Sequence, residues 1–346
     1  QDARRAAGAD GGEDARGGSM KFLLRRFGFY GVAAFFAVTL NFFLPRLMPG
    51  DAAGALFARF QGRLSPEALE ALRRAIGISD GPLLQQYAQY LMDLAHGDFG
   101  ISISQYPARV TDVVLTGLGW TVLVAGVALV LGFALGTTLG VLAGWKRGGV
   151  IDSVLPPSLA FIGAFPYFWL AMGLLFLFGF EWRWVPLRHA YSDGASPEWT
   201  FTFIADVARH AALPVFTVVV ATLGGWMMGM RSAMVAVLGT EYLALGRAKG
   251  LSTLRLAWTY AARNALLPNV TSLGMSLGYV LGGSLLTEVV FSYPGLGFLM
   301  VQAVRAQDFP VMQGLFIMIT LAVLTANALV DVVTTVIDPR TRGREA

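Results

Sequence analysis

Gly274, Ser276 and Gly278 stand in G-x-S-x-G spacing, the pattern that in hydrolases exposes a serine nucleophile on a sharp strand-to-helix turn beside a general base. Here the pattern falls inside an apolar run of helical character, where no such elbow forms. His189 and His210, the bases that would activate Ser276, belong near the opposite membrane face or outside it. An intramembrane serine protease is therefore the enzymatic alternative, and close packing by small residues the plainer reading. No G-x-x-x-x-G-K-[ST] phosphate loop occurs, so ATP hydrolysis by that route is not expected of this chain. With no cysteine, no H-E-x-x-H pattern, and His96 reading as a surface residue, thiolate nucleophiles, disulfides and Cys-ligated metals are excluded.

The most specific spacing belongs to residues with no catalytic chemistry. From Glu241 to Pro268 the chain reads EYLALGRAKGLSTLRLAWTYAARNALLP, the heart of a basic block over about 231–268 that separates two apolar runs. Ala, Leu, Arg and Lys favour helix before Gly250, Gly250 suits the left-handed stop that ends one, and Ser252 suits the cap of the next. These rules predict a helix, a sharp turn and a second helix, with Pro268 opening the following membrane segment, where its missing N–H costs little. Arg247, Lys249, Arg255 and Arg263 fit an ordinary basic cytoplasmic loop equally well when each is taken alone.

Composition sets the elements that must position this block. Hydrophobic residues make up 55% of the chain and charged ones 14%, and the mean hydropathy of +0.59 marks an all-α integral membrane protein. Six charge-free stretches approach or exceed the roughly 20 residues that cross a bilayer; they lie in 27–45, 113–145, 153–180, 211–230, 265–287 and 309–330. Pro156, Pro157 and Pro166 predict a break or kink in the third. Lys21, Arg25 and Arg26, then Lys146 and Arg147, then the 231–263 block, then Arg340, Arg342 and Arg344 fall on one side of the spans, which places both termini and the block in the cytoplasm. The high pI therefore reflects topology, and no nucleic-acid footprint is seen.

Residues 1–19 read as a disordered extension or a remnant of cloning ahead of Met20, and 20–48 as the first transmembrane helix. Residues 49–112 read as an extracytoplasmic helical subdomain. Ser65, Pro66 and Glu67 start one helix with Leu69, Leu72 and Ile76 on a face, and a second follows Pro82 with Leu84, Tyr87, Leu91 and Leu94 on one side. Residues 113–346 carry the remaining spans. Gly132, Gly136, Gly140 and Gly144 form a stripe for close helix packing, and Gly274, Gly278 and Gly282 a similar one. Asn41, Asn327 and Asp331 inside predicted spans, and Glu288 at a span end, are candidates for a pathway or for structural polar contacts.

The central block resembles the EAA loop of ATP-binding-cassette importer permeases, in the oligopeptide and dipeptide branch. Tyr242, Gly246-Arg247-Ala248-Lys249-Gly250 and Arg263-Asn264-Ala265-Leu266-Leu267-Pro268 stand where that branch has its tyrosine-containing start, A-R-A-K-G and R-N-A-x-x-P. LPRLMPGD, LSPEALEALRRAIGI, GDFGIS, EVVFSYPGLG, DFPV and the terminal DPR extend the likeness from about Lys21 to Arg342. It departs at Gly246, where the branch usually has alanine, and at Tyr260, where it commonly has histidine. The resemblance implies a non-catalytic permease with six transmembrane helices and a cytoplasmic helix-turn-helix, in the bacterial or archaeal inner membrane. It implies that Glu241, Tyr242, Gly246, Arg247, Ala248, Lys249, Gly250, Leu251, Arg263, Asn264 and Pro268 couple to ATPase partners. No cofactor is implied for this chain, ATP and Mg belonging to those partners. The other implied partners are a homologous second permease, an extracytoplasmic solute-binding protein and membrane lipid. Peptides are the implied cargo, with oligosaccharides or nickel complexes as the alternative; an ion-coupled secondary transporter is the reading from another class.

Overall fold

The computed structural model describes residues 25–43, 46–47, 81–283 and 285–337, with side chains described except at 277–283, 329–331 and 333–337. The expected N-terminal extension and the helix beginning at Ser65 lie outside the described residues. Among those described the regular structure is helical, apart from one isolated bridge between Ile101 and Arg109. Two compact units are distinguished, one of residues 112–306 and one combining the described parts of 1–111 and 307–346.

In the second of these, α1 (Arg25–Phe43), α2 (Leu83–Ala95) and α11 (Phe309–Ile337) are the helices. Phe42 is fully buried and packs edge-on to Tyr87 of α2, 5.1 Å between centroids. The predicted face of α2 is corrected at one position: Leu84 is 80% exposed, whereas Tyr87, Tyr90, Leu91 and Leu94 are the half-buried ones. The helix turns its aromatic pair, rather than its first leucine, toward α1.

The larger unit contains α3 (Val110–Trp145, entering it at Asp112), α4 (Val150–Gly163), α5 (Tyr167–Leu174, prolonged as a π-helix through Glu181), α6 (Phe201–Leu238), α7 (Glu241–Ala248), α8 (Arg263–Gly283), α9 (Leu285–Val290) and α10 (Leu296–Ala306). The glycine stripe of α3 seats on α6. A Cβ at Gly140 would lie 2.6 Å from both the Met227 carbonyl and the Met230 Cβ, and one at Gly144 2.6 Å from the Met234 Cβ. Only glycine admits this approach, which replaces the hydrophobic driving force that lipid removes. The second stripe runs into 277–283, beyond the described side chains.

The third predicted span is bent by 94° between α4 and α5. Pro156 and Pro157 sit inside α4 without ending it, and Pro166 stands at the N-cap of α5, so the break belongs to Pro166 alone. Residues ahead of a proline are driven out of the α region. The paired prolines forgo the bonds to the Asp152 and Ser153 carbonyls and leave α4 continuous. Among the described residues four helices suit a membrane crossing by length and hydropathy, or five with α4 and α5 taken as one broken span. The predicted fifth span corresponds to α8 and α9, whose polar Asn264, Asn269, Thr271, Ser272 and Ser276 lower its hydropathy.

Candidate functional site

The block between α6 and α8 folds as predicted in its first arm and gains a rationale for each glycine. Thr240 occupies the N-cap of α7, but its hydroxyl donates back to the Val237 carbonyl, 2.6 Å, instead of capping α7. Glu241 in the first turn and Arg247 in the last complement the helix dipole. Gly250 adopts φ +74°. The Gly250 N–H donates to the Arg247 carbonyl at 2.9 Å and the Leu251 N–H to the Gly246 carbonyl at 3.2 Å, the two bonds of a Schellman stop. Leu251 then folds back over Gly246, whose absent Cβ leaves room for Leu256: a Cβ there would lie 2.7 Å from the Leu256 Cδ2. The departure from alanine at 246 is thus matched by a leucine methyl, and the propensity lost, up to about 1 kcal/mol, is offset by packing.

The second arm is less regular than expected. Ser252 holds the cap position but makes no side-chain cap bond. A single α-turn, Thr253–Arg255, passes into a π-helix over Leu256–Ala262 and then into α8. Pro268 is therefore interior to a continuous helix and does not open one, which corrects the expectation; its ring costs the bond to the Asn264 carbonyl. Asn264 bridges the arms, donating from Nδ2 to the Tyr242 hydroxyl at 3.1 Å and to the Tyr260 carbonyl at 2.9 Å. Two residues singled out by the resemblance to the permease loop, 22 positions apart, meet here.

The block has one anchored and one open face. Leu243 and Leu256 pack with Val141 of α3, Met230 and Met234 of α6, and Ala261, Ala262 and Ala265. Exposed beside them are Tyr242 at 38%, Leu245 at 57%, Leu254 at 72% and Trp258 at 41%, together with Glu241, Arg247, Ala248, Lys249, Gly250, Arg255, Arg263, Asn264 and Pro268. Four cations against one carboxylate make this face electropositive. Sequence reasoning missed its brace: Arg231 near the end of α6 donates through Nε and Nη2 to both oxygens of Asp152 at the start of α4, and the Gly148 N–H completes that carboxylate at 2.9 Å. An acid placed shortly after Lys146-Arg147 was the available signal.

Two of the polar candidates, Glu288 and Asn41, have structural partners. Glu288 is 1% exposed. Its carboxylate accepts from the Thr121 hydroxyl at 2.8 Å and from the Gly297 N–H at 2.7 Å, capping α10, while Thr121 accepts from the Leu296 N–H at 2.8 Å. A Cβ on Gly295 would overlap that carboxyl group, which explains the glycine in SYPGLG. Asn41 donates to the Gln313 carbonyl at 2.9 Å and the Tyr90 hydroxyl at 3.2 Å, tying α1 to α11 and α2. Burial raises the pKa of the Tyr90 phenol, and the hydrogen bond from Asn41 opposes this more weakly. Asn327 is half-buried on α11, and the side chain of Asp331 lies outside the described residues. Asp308, missed as a site, is fully buried and caps α11 while accepting from the Ser102 and Ser104 hydroxyls at 2.6 and 2.7 Å. The GDFGIS and DFPV motifs therefore converge on one carboxylate. Ser276, the formal nucleophile, donates to the Ser272 carbonyl at 2.9 Å within its own helix. Among the described residues no group of three His, Cys, Asp or Glu is arranged to hold a metal.

A helical membrane chain with a braced, basic two-arm block matches the family model of the binding-protein-dependent transport system inner membrane component over residues 136–343. The chain belongs to that family. It is similar to the dipeptide transport system permease protein DppB of Escherichia coli (strain K12), 33% identical over 345 residues covering 94% of this chain and 100% of that protein. The di/tripeptide transport system permease protein DppB of Pseudomonas aeruginosa (strain UCBPP-PA14) is 34% identical, over 93% of this chain and 99% of its own length. The probable D,D-dipeptide transport system permease protein DdpB of Escherichia coli (strain K12) is 32% identical, over 87% and 91%. The chain is a non-catalytic permease subunit of this importer class.

Proposed function

We propose that this permease forms half of a translocation pathway for short peptides and receives its mechanical input through residues 241–268. The choice of cargo is supported by the dipeptide and di/tripeptide transport for which its relatives are named. ATP and Mg are handled by two cytoplasmic ATPase subunits, a homologous second permease completes the pathway, and an extracytoplasmic binding protein delivers the solute. Both termini and the 241–268 block face the cytoplasm, in agreement with the basic flanks.

The observation that supports this most is the division of the block into a seated and an open face. Leu243 and Leu256 are buried against α3 and α6, with Gly246 buried beneath Leu256, whereas Tyr242, Leu245, Leu254 and Trp258 stand exposed among Arg247, Lys249, Arg255 and Arg263. Exposed aromatic and aliphatic anchors of this kind carry most of the energy of an interface, about 2 kcal/mol or more each when buried by a partner, and the cations set orientation and approach. Because the seat is continuous with α6 and α8, displacing the open face displaces the membrane helices. Leu254→Asp with Trp258→Ala in the assembled transporter tests this. ATPase subunits should no longer co-purify and uptake into proteoliposomes should cease while the chain remains inserted; retained ATPase together with normal uptake would refute the reading.

A further inference from the structure

At the end of α6 opposite α7, the segment after α5 forms a cavity of about 550 Å³ lined by Phe180, Arg183, Leu187, Arg188, His189 and His210 among others. The loop is pinned to α6: the Ser192 N–H and hydroxyl both donate to the Asp206 carboxylate, at 2.7 and 2.8 Å. Arg183 adopts φ +55° at the stop of the α5 helix, where the Trp182 and Trp184 N–H groups bond back to the Leu177 and Phe178 carbonyls at 3.0 and 2.9 Å. Glycine or asparagine is the usual occupant of such a left-handed stop. An arginine makes that backbone harder to form, and Arg183 lines the cavity.

Two further observations indicate what that guanidinium meets. The lining holds Arg183 and Arg188 against one carboxylate, Asp193, which lies 3.6 Å from Arg188 and 3.2 Å from the His189 ring, with all three side chains exposed. Such a pair gives way readily to a competing anion. On the α5 side the approach to the cavity is aromatic and open: Phe176 and Phe180 stack at 5.8 Å, Trp182 and Trp184 lie 4.6 Å apart, and all four are exposed. Tryptophans at the end of an apolar span mark the membrane–water boundary. A ligand that uses both the arginines and this apolar approach carries an anionic group at the head of hydrocarbon tails.

We propose that this cavity binds the headgroup of an anionic phospholipid, with Arg183 and Arg188 on the phosphate through charge-assisted hydrogen bonds and the acyl chains along Phe176 and Phe180. The site is independent of the ATPase-coupling face and of the identity of the cargo. The test uses the full-length chain, titrated in mild detergent with phosphatidylglycerol or phosphatidylcholine and followed by native mass spectrometry. The wild type should retain phosphatidylglycerol in preference, and Arg183→Gly with Arg188→Gln should lower that retention about tenfold or more, since both phosphate contacts are lost and each factor of ten is about 1.4 kcal/mol. Arg183→Gly keeps the left-handed backbone accessible, so loss of binding does not require loss of fold. Lys146→Gln with Arg147→Gln, at the other end of the spans, should leave retention unchanged. Undiminished retention in the Arg183/Arg188 variant, equal loss in the Lys146/Arg147 variant, or a dipeptide binding the lipid-free chain through these same arginines would overturn the proposal.

Discussion

Gly250 shows how much one backbone angle governs. At φ +74° an L-residue pays about 1–2 kcal/mol, and a β-branched side chain resists the region most strongly. Nothing lies within 4 Å of a Cβ built there, so the penalty is conformational and free of clash. Gly250→Val should abolish solute-stimulated ATPase activity and uptake in proteoliposomes of the whole transporter, while Gly250→Asn, which tolerates the left-handed region, should retain most of both. Neutralising Arg247 or Lys249 singly should do less, exposed ion pairs being worth about 0–1 kcal/mol. Gly250 was legible in the sequence because a helix-forming run stops at it. Arg183 was not, because no rule of composition or spacing marks an arginine in a glycine conformation. Glu288 was legible only as a costly polar group; its role as the cap of α10 depends on Thr121, 167 residues away.

At the scale of elements, the seating of α3 on α6 predicts sharp differences among glycines that look alike in the sequence. Gly140 faces the Met227 carbonyl and the Met230 Cβ, whereas a Cβ at Gly126 meets nothing within 4 Å. Gly126→Ala should be neutral or raise stability by up to about 1 kcal/mol through helix propensity. Gly140→Ala should separate the helices, lowering both the thermal midpoint and the yield of monodisperse protein, measured side by side in one detergent. The small-residue stripe was readable by its four-residue period, but its partner helix was not, since periodicity names a face without naming what meets it. The π-helices over 175–181 and 256–262 were also invisible, because no residue pattern in them marks the wider turn. Pro268 was misread for the same reason: the second arm proved continuous with α8.

For the molecule as a whole, the six-span expectation rested on hydropathy, and among the described residues hydropathy recovers four helices, or five spans with α4 and α5 taken together. The predicted fifth span, carried by α8, is polar enough to need protein neighbours, as it has in α6 through Asn269, which donates to the Trp226 carbonyl at 3.4 Å. Because the chain contains no cysteine, single substitutions report topology without background. Lys249→Cys should react with impermeant maleimide only from the cytoplasmic side, and Ser192→Cys only from the other. The purified chain alone should show no ATP hydrolysis above background, and activity should appear only when the ATPase subunits are added.

The length of α6 has a consequence for reach. Its 38 residues extend about 57 Å at 1.5 Å per residue, or about 54 Å along the bilayer normal at an average tilt of 20°. A bilayer with its headgroups measures about 40–45 Å. The surplus, about 10 Å, is close to the diameter of one helix. Neither thinning nor thickening the hydrocarbon by a few ångströms can draw both ends of such a rod into lipid. At that tilt at least one end stands clear in water, where a soluble partner can reach it without first displacing the membrane surface.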